Sequence, residues 1–478
     1  MLKLKDYLVN HFESVRFAMD VMNKSGAGVC FIVKDNKLCG IATDGDLRRY
    51  ILKNLSIDSS IAKAMNSKCF ALLNTTSDQQ IRQSFSEKIK CIPIVDENNI
   101  VVDIADATRS HRIPVLEPSL KGNELEYVVD CISSNWISSK GKYVSLFESN
   151  FESLHSETFA ISTSSGTTAL HLSLLALGIG SGDEVIVPNL TFAATASSVV
   201  HANATPVFCE IDPNTWCICP KSIEELITPK TKAIIPVHLY GQPADMKSIT
   251  QIALKYNLYV IEDCAEALGS SINEIPVGCF GDASTFSFFG NKTISTGEGG
   301  MVLFKSKEHY NLARTLRDHG MSTNRRYWHT HIGYNYRMTN IQAALGVAQL
   351  EKIDTIINSK RRIFYAYMNY LHDCKFIDFF PVEQHNAFNS NWLFTIILNS
   401  KLCRDELVTS LSRFGIESRP VFYSLDQMPP FENYAKSASL KNSHYLSDHG
   451  ISLPSSVNLA DNDIEYIANV FVKCVETL

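Results

Sequence analysis

"TFSFFGNKTISTGEGGMVLF", residues 285–304, begins and ends like a β-strand and holds one lysine, Lys292, between its two apolar runs. Gly297, Glu298, Gly299 and Gly300 follow at once. Alone, the segment reads as a hairpin whose polar turn contains a lysine. The surrounding chain gives that lysine a different setting. "DEVIVPNLTF", "KAIIPVHLYG" and "NLYVIEDCAEALG" are short β-branched runs that end in loop residues, and helical stretches such as "TTALHLSLLALGIG" and "DMKSITQIALKY" separate them. This alternation predicts an α/β fold with a mainly parallel sheet covered by helices on both faces. Ligand groups in such folds gather at the carboxyl ends of the strands.

From about residue 360 the pattern changes to a long helix in "NSKRRIFYAYMNYLHD", a strand-like "NWLFTIIL" and a helix in "CRDELVTSLSRFG". A smaller α+β unit is expected there. With 478 residues the chain has room for two or three compact units, each with its own core. A mean hydropathy of -0.03 and 20% charged residues describe a globular chain rather than a disordered one. The net charge of -6, without a long Lys/Arg run, argues against nucleic-acid binding. No run of eighteen apolar residues and no signal-peptide pattern occurs, so a cytoplasmic protein without a membrane partner is expected.

The 13 cysteines contain no CxxC pair, and Cys217 and Cys219 in "TWCICP" fit alternation on a strand, so reduced thiols are expected. His329 and His331 lack a third ligand in a fixed frame, and no metal site is expected.

Residues 1–112 differ in texture. "GVCFIVKDNKLCGIAT" is a hairpin signal, and "DGDLRRYILKNL" continues with helical spacing. About sixty residues later "KCIPIVDENNIVVDIADATRS" repeats strand, acidic turn and strand, which predicts paired βαββα units. These residues resemble a tandem CBS module over 1–111. The resemblance implies a nucleotide facing Thr43 and Asp46 of "GIATDGDLRR", or a purely structural or oligomerising role. In the second copy Asp103, Asp106 and Arg109 stand in place of Gly40, Thr43 and Asp46, so a second site is expected to be empty or differently used. "ATRSHRIPVLEPSL", residues 107–120, reads as the linker.

In the remaining chain the strand ends carry the chemistry. "ISTSSGTTALHL" runs through Gly166 into a helix starting near Thr167, and exposed N–H groups with small hydroxyls there suit a phosphate. Phe192 follows one strand, Glu262 and Asp263 end another, and Ser287 stands five residues before Lys292. Phosphate seat, aromatic, strand-end acid, hydroxyl and lysine together describe a pyridoxal phosphate site. The lysine amine must be neutral to join the cofactor aldehyde, and a carboxylate must keep the pyridine nitrogen protonated so that the ring can take up electrons.

"SFFGNKTISTGEGG", "VIEDCAEALGS", "SSGTTALHL", "VPNLTFAATA", "PVHLYGQPADM" and "GYNYRMTNIQAALGVAQLE" resemble, in order, the DegT/DnrJ/EryC1/StrS sugar aminotransferases of fold-type I. The resemblance implies a large cofactor domain over 112–355 and a small domain over 356–478. It further implies Lys292 as catalytic acid/base, Asp263 at the pyridine nitrogen and Phe192 against the ring. Gly166, Thr167 and Ser287 would hold the phosphate, together with Asn335 from a second subunit, so that a homodimer shares its sites. Glu266 stands where many members carry glutamine near the cofactor's phenolic oxygen.

"WISSKGKYVSLFE" and "GIESRPVFYSLDQMPPFE" resemble the branch that aminates GDP-4-keto-6-deoxy-D-mannose at C4 with L-glutamate, giving GDP-perosamine for surface polysaccharide. There Arg419 and Tyr423 would line the sugar nucleotide, with His319 at the rim. A UDP- or dTDP-linked keto-sugar is an alternative substrate. A nucleotide-sensing protein with an inactive transferase domain is a more remote one, which the intact Lys292 and Asp263 oppose.

Overall fold

The computed structural model describes residues 4–478 except 54, 77–79, 82–83, 87–88, 107–112, 323, 381–385 and 436–438. The 111/112 boundary, Arg109 and part of the expected linker lie outside the described residues. Two compact units emerge, one of residues 1–114 with 409–417 and one of 115–408 with 418–478. Segment 409–417 joins the first through pairing of Ile113 with Ile416.

In the first unit, β1 (Leu8–Asn10) runs parallel to β2 (Val29–Lys34), and β2 turns back antiparallel into β3 (Lys37–Thr43). Asp35 and Asn36 form the turn with φ of 51° and 62°, the two positive angles that a tight hairpin requires. β4 (Leu72–Leu73), β5 (Cys91–Val95) and β6 (Val101–Asp106) repeat the same order and senses. One face of the first sheet packs on the second through Val29, Phe31, Val33, Val95, Val101 and Ile104. The alternate residues Cys30 and Ile32 face the other way, under the helices Val15–Ser25 and Asp44–Ile51.

The second unit is built on seven strands: β7 (Phe159–Thr163), β8 (Glu184–Pro188), β9 (Thr205–Cys209), β10 (Thr231–Ile234), β11 (Tyr259–Asp263), β14 (Ala283–Ser287) and β15 (Gly300–Phe304). Their order is β7-β15-β14-β11-β10-β8-β9, and β15 alone runs antiparallel to its neighbours. Val185 and Val187 face one apolar cluster and Ile186 the other, because helices cover both faces. A small sheet is added by β12 (Ser271–Ile272), which pairs with β13 (Ile275–Pro276) on one side and β17 (Ala387–Phe388) on the other. A four-stranded antiparallel sheet follows, made of β16 (Ile377–Phe379), β18 (Phe394–Leu398), β19 (Arg419–Pro420) and β20 (Gly450–Leu453) in the order β16-β18-β20-β19.

The fold is therefore the expected mainly parallel α/β sheet with an α+β addition. The opening segment turns out to be both things at once. β14 and β15 do pair as antiparallel neighbours, with Ser287 opposite Gly300, and the loop joining them carries Lys292 to the carboxyl edge of the sheet. "TWCICP" departs from expectation. Its residues make a single bridge, Ile211 to Ile218, instead of a strand, because Trp216 takes a left-handed φ of 62° as it buries its ring. The thirteen cysteines are all free thiols. Among the described residues no helix is long and apolar enough to cross a membrane.

Candidate active site

Parallel strands point their carboxyl ends one way, so the loops after β7, β8, β11 and β14 meet along one edge. A cavity of about 350 Å³ opens there. Gly166, Thr167, Phe192, Asp263, Glu266, Ser287, Lys292 and Arg419 all line it, residues that are spread over 254 positions of chain only because the sheet gathers them.

At the end of β7, Ser165 caps the helix Gly166–Ala176. Its Oγ accepts the Thr168 N–H at 3.2 Å, and the Thr168 hydroxyl accepts the Ser165 N–H at 3.0 Å. The first N–H groups of a helix have no partner within it, and they concentrate its positive end. Gly166 is required by space: a Cβ there would stand 2.8 Å from the Ser287 Cβ. The helix start and Ser287 can pack this closely because no side chain stands between them.

Asp263 closes β11 and is buried. Its Oδ2 accepts the Thr195 hydroxyl at 2.8 Å and its Oδ1 the Ala265 N–H at 3.1 Å. Burial pushes its carboxyl above the ordinary range, against those donors and the nearby Lys292. Strand alternation turns the adjacent Glu262 to the opposite side. There it accepts the N–H groups of Gly278, Phe280 and Gly281 and meets His238 Nε2 at 3.1 Å. Burial of Glu262 is outweighed by these partners, and its carboxyl is held below the ordinary range. His238 Nδ1 accepts the Ala244 N–H, so the buried His238, Glu262 and Cys264 form a structural network with both ring nitrogens committed.

Lys292 Nζ lies 3.6 Å from Glu266 Oε1 and 4.1 Å from the centroid of the Trp392 ring. Glu266 Oε2 accepts the Tyr240 N–H at 2.9 Å, and burial raises its carboxyl too. Two buried carboxylates thus share one lysine. A protonated pyridine nitrogen at Asp263 would supply the missing positive charge, and the helix start at Gly166 and Thr167 lines the same cavity as Ser287, where a phosphate would meet N–H and hydroxyl donors. The donor set fits pyridoxal phosphate.

Several expected residues stand elsewhere. His319 is exposed, turned by a left-handed φ of 61°, with its Nε2 3.2 Å from Arg337 Nη2. Asn335 is exposed and accepts from Arg337 Nε at 3.1 Å. Tyr423, 51% exposed, lies under the Arg404 guanidinium. None of the three lines the cavity of this chain. In the first unit Thr43 and Asp46 bind one another: the Thr43 hydroxyl donates to Asp46 Oδ2 at 2.7 Å, and both cap the helix Asp44–Ile51. The cavity nearest to them is lined instead by Gly28, Asp44 and Arg48 among others. Thr195, Tyr240 and Trp392 were not anticipated. Thr195 sits three residues after Phe192 and had a signal in that spacing, whereas Tyr240 and Trp392 had none.

An α/β sheet with a lysine, a strand-end aspartate and a helix-borne anion cradle at its carboxyl edge defines a fold-type I pyridoxal phosphate enzyme. The chain belongs to the DegT/DnrJ/EryC1/StrS aminotransferase family, which it matches over residues 118–472, and residues 5–53 match the CBS domain. It is 47% identical to GDP-perosamine synthase of Escherichia coli O157:H7 over 74% of this chain and 96% of that protein. It is 45% identical to GDP-perosamine synthase of Vibrio cholerae over 75% and 97%. Among solved structures, the PLP-form of the Streptococcus pneumoniae sugar aminotransferase homologue Spr1654 superposes with a TM-score of 0.72 at 28% identity, over 77% of this chain and 99% of that one. The protein is an aminotransferase that depends on pyridoxal phosphate.

Proposed function

We propose that this protein transfers the amino group of L-glutamate to C4 of GDP-4-keto-6-deoxy-D-mannose, giving GDP-perosamine and 2-oxoglutarate. The observation that carries the reading is similarity to GDP-perosamine synthases over 96–97% of their length, with Lys292, Asp263 and Glu266 gathered in one cavity. Pyridoxal phosphate supplies the aldehyde that carries the amino group between substrates and a ring that takes up electrons. Lys292 Nζ removes the Cα proton of glutamate, and in the second half-reaction it delivers a proton to the sugar carbon C4, whose oxygen leaves as water. Asp263, held by Thr195 and the Ala265 N–H, keeps a proton on the pyridine nitrogen. Gly166, Thr167 and Ser287 bind the phosphate, and Phe192 covers the ring. Arg419 attracts the diphosphate of the sugar nucleotide.

A homodimer fits the helix Glu124–Ser133, which leaves Leu125, Val129 and Ile132 exposed on one face, and it gives the exposed Asn335 a partner's phosphate to reach. In that assembly His319 takes the rim and Tyr423 lies along the sugar nucleotide. The domain layout we infer is a CBS pair over 1–111, a cofactor domain over 112–355 and a small domain over 356–478. The cavity at Gly28, Asp44 and Arg48 supports a small-molecule role for the CBS unit, with nucleotide regulation of a cytoplasmic enzyme as the reading. Incubation with glutamate and a panel of GDP-, UDP- and dTDP-linked keto-sugars tests the function. Mass-detected GDP-perosamine is expected, and turnover confined to a UDP- or dTDP-linked sugar would refute the substrate.

A further inference from the structure

Tyr240 follows β10 in a tight turn with φ 53° and ψ 23°, a left-handed backbone that bulky residues rarely adopt. The next residue, Gly241, also has positive φ, and a Cβ on it would meet Asn389 Oδ1 at 2.6 Å. The turn therefore cannot be relieved by shifting the strained residue one place along. Its outcome is the direction of the Tyr240 N–H, which points at Glu266 Oε2 and leaves Oε1 facing Lys292.

The ring explains how the strained backbone persists. It stacks with Trp392, at 5.9 Å and 14°, and with Phe422, at 5.5 Å and 9°. The Ser452 side chain and the Phe422 backbone stand near its hydroxyl. We infer that Tyr240 is a positioning residue: its clamped ring holds a left-handed backbone whose N–H keeps the Glu266 carboxylate directed at the Lys292 nitrogen. This rests on the reading above that Lys292 carries the cofactor.

The consequence is electrostatic. An N–H donor favours the charged carboxylate, and a charged Glu266 favours a proton on the Lys292 nitrogen. The titratable groups around Glu266 are Lys292, Asp263, the Cys217 thiol and the Tyr240 phenol. Burial pushes the thiol up to about 12 and the phenol well above its usual value, so both stay neutral near pH 7.

The test is a pH titration of the visible absorbance of the cofactor bound to the full chain. Tyr240→Ala has no ring to clamp, relaxes out of the left-handed region and lowers the midpoint by roughly one pH unit. Tyr240→Gly loses the ring as well, but glycine holds the left-handed turn without strain, and its midpoint stays at that of the unmodified chain. Tyr240→Leu replaces the alanine variant if that one does not fold. Glu266→Gln lowers the midpoint by itself, and adding Tyr240→Ala moves it no further. Equal shifts in the alanine and glycine variants, no shift in either, or an additional shift in the glutamine background would overturn the inference. A band that survives Lys292→Ala unchanged would overturn the cofactor reading beneath it.

Discussion

Replacing Gly166 by alanine tests the phosphate cradle directly. A Cβ at this position would lie 2.8 Å from the Ser287 Cβ, 3.1 Å from its Oγ and 3.4 Å from its Cα. Ordinary carbon contacts begin about 0.7 Å further out. Overpacking of this kind costs about 1–3 kcal/mol. Helix propensity pulls the other way, since alanine is better than glycine by up to about 1 kcal/mol, but that gain is realised in apo and bound protein alike. Relieving the clash pushes the helix start and Ser287 apart and so displaces the donors that hold the phosphate, which should appear as up to about 150-fold weaker pyridoxal phosphate affinity. Equilibrium titration of the apo protein measures it. The contact is with a Cβ, which gives the prediction a sharper form. Gly166→Ala should keep most of its cost in a Ser287→Ala background, which removes only the 3.1 Å contact with Oγ, and lose most of it in a Ser287→Gly background. Unchanged affinity in the single variant, or equal relief by both partners, would refute the steric argument.

Lys292→Ala should lower kcat by roughly 10²–10⁴-fold or more while the chain stays folded, and borohydride should no longer fix the cofactor to the protein by mass spectrometry. Burial raises the carboxyls of Asp263 and Glu266, so the folded apo chain holds protons that the unfolded chain gives up. Apo stability should therefore fall as pH rises above the ordinary carboxylate range, and bound cofactor should flatten that slope, as read by thermal midpoints of both forms. Lys360 is buried, donates to the carbonyls of Trp392 and Ser455, and has its pKa lowered by burial to about 7. Between there and its unfolded value the unfolded chain binds the extra proton. The stability that Lys360→Met gains over the parent should thus shrink as pH climbs from 7 to 9, by at most about 1.4 kcal/mol per unit. A pH-independent difference in denaturant midpoints would contradict it.

Periodicity alone settled the α/β class, because period-2 apolar runs alternating with helical ones leave few other architectures. It also found the repeat in the first unit, since each copy must bury a sheet against the other, and it drew out Lys292, Asp263, Gly166 and Ser287, since strand ends in this fold face one edge. Three-dimensional packing decided the rest. Glu262 and Asp263 are adjacent and chemically alike, yet the pleat sends one to a structural network and the other to the cavity. Thr43 and Asp46 read as ligand groups from the resemblance of "GIATDGDLRR" to a CBS motif, and three residues is also the distance at which a hydroxyl and a carboxylate cap a helix together. Tyr240 and Trp392 left no mark in local pattern. Their part depends on a left-handed turn and on two rings brought together across 152 residues, and only tertiary contacts fix either.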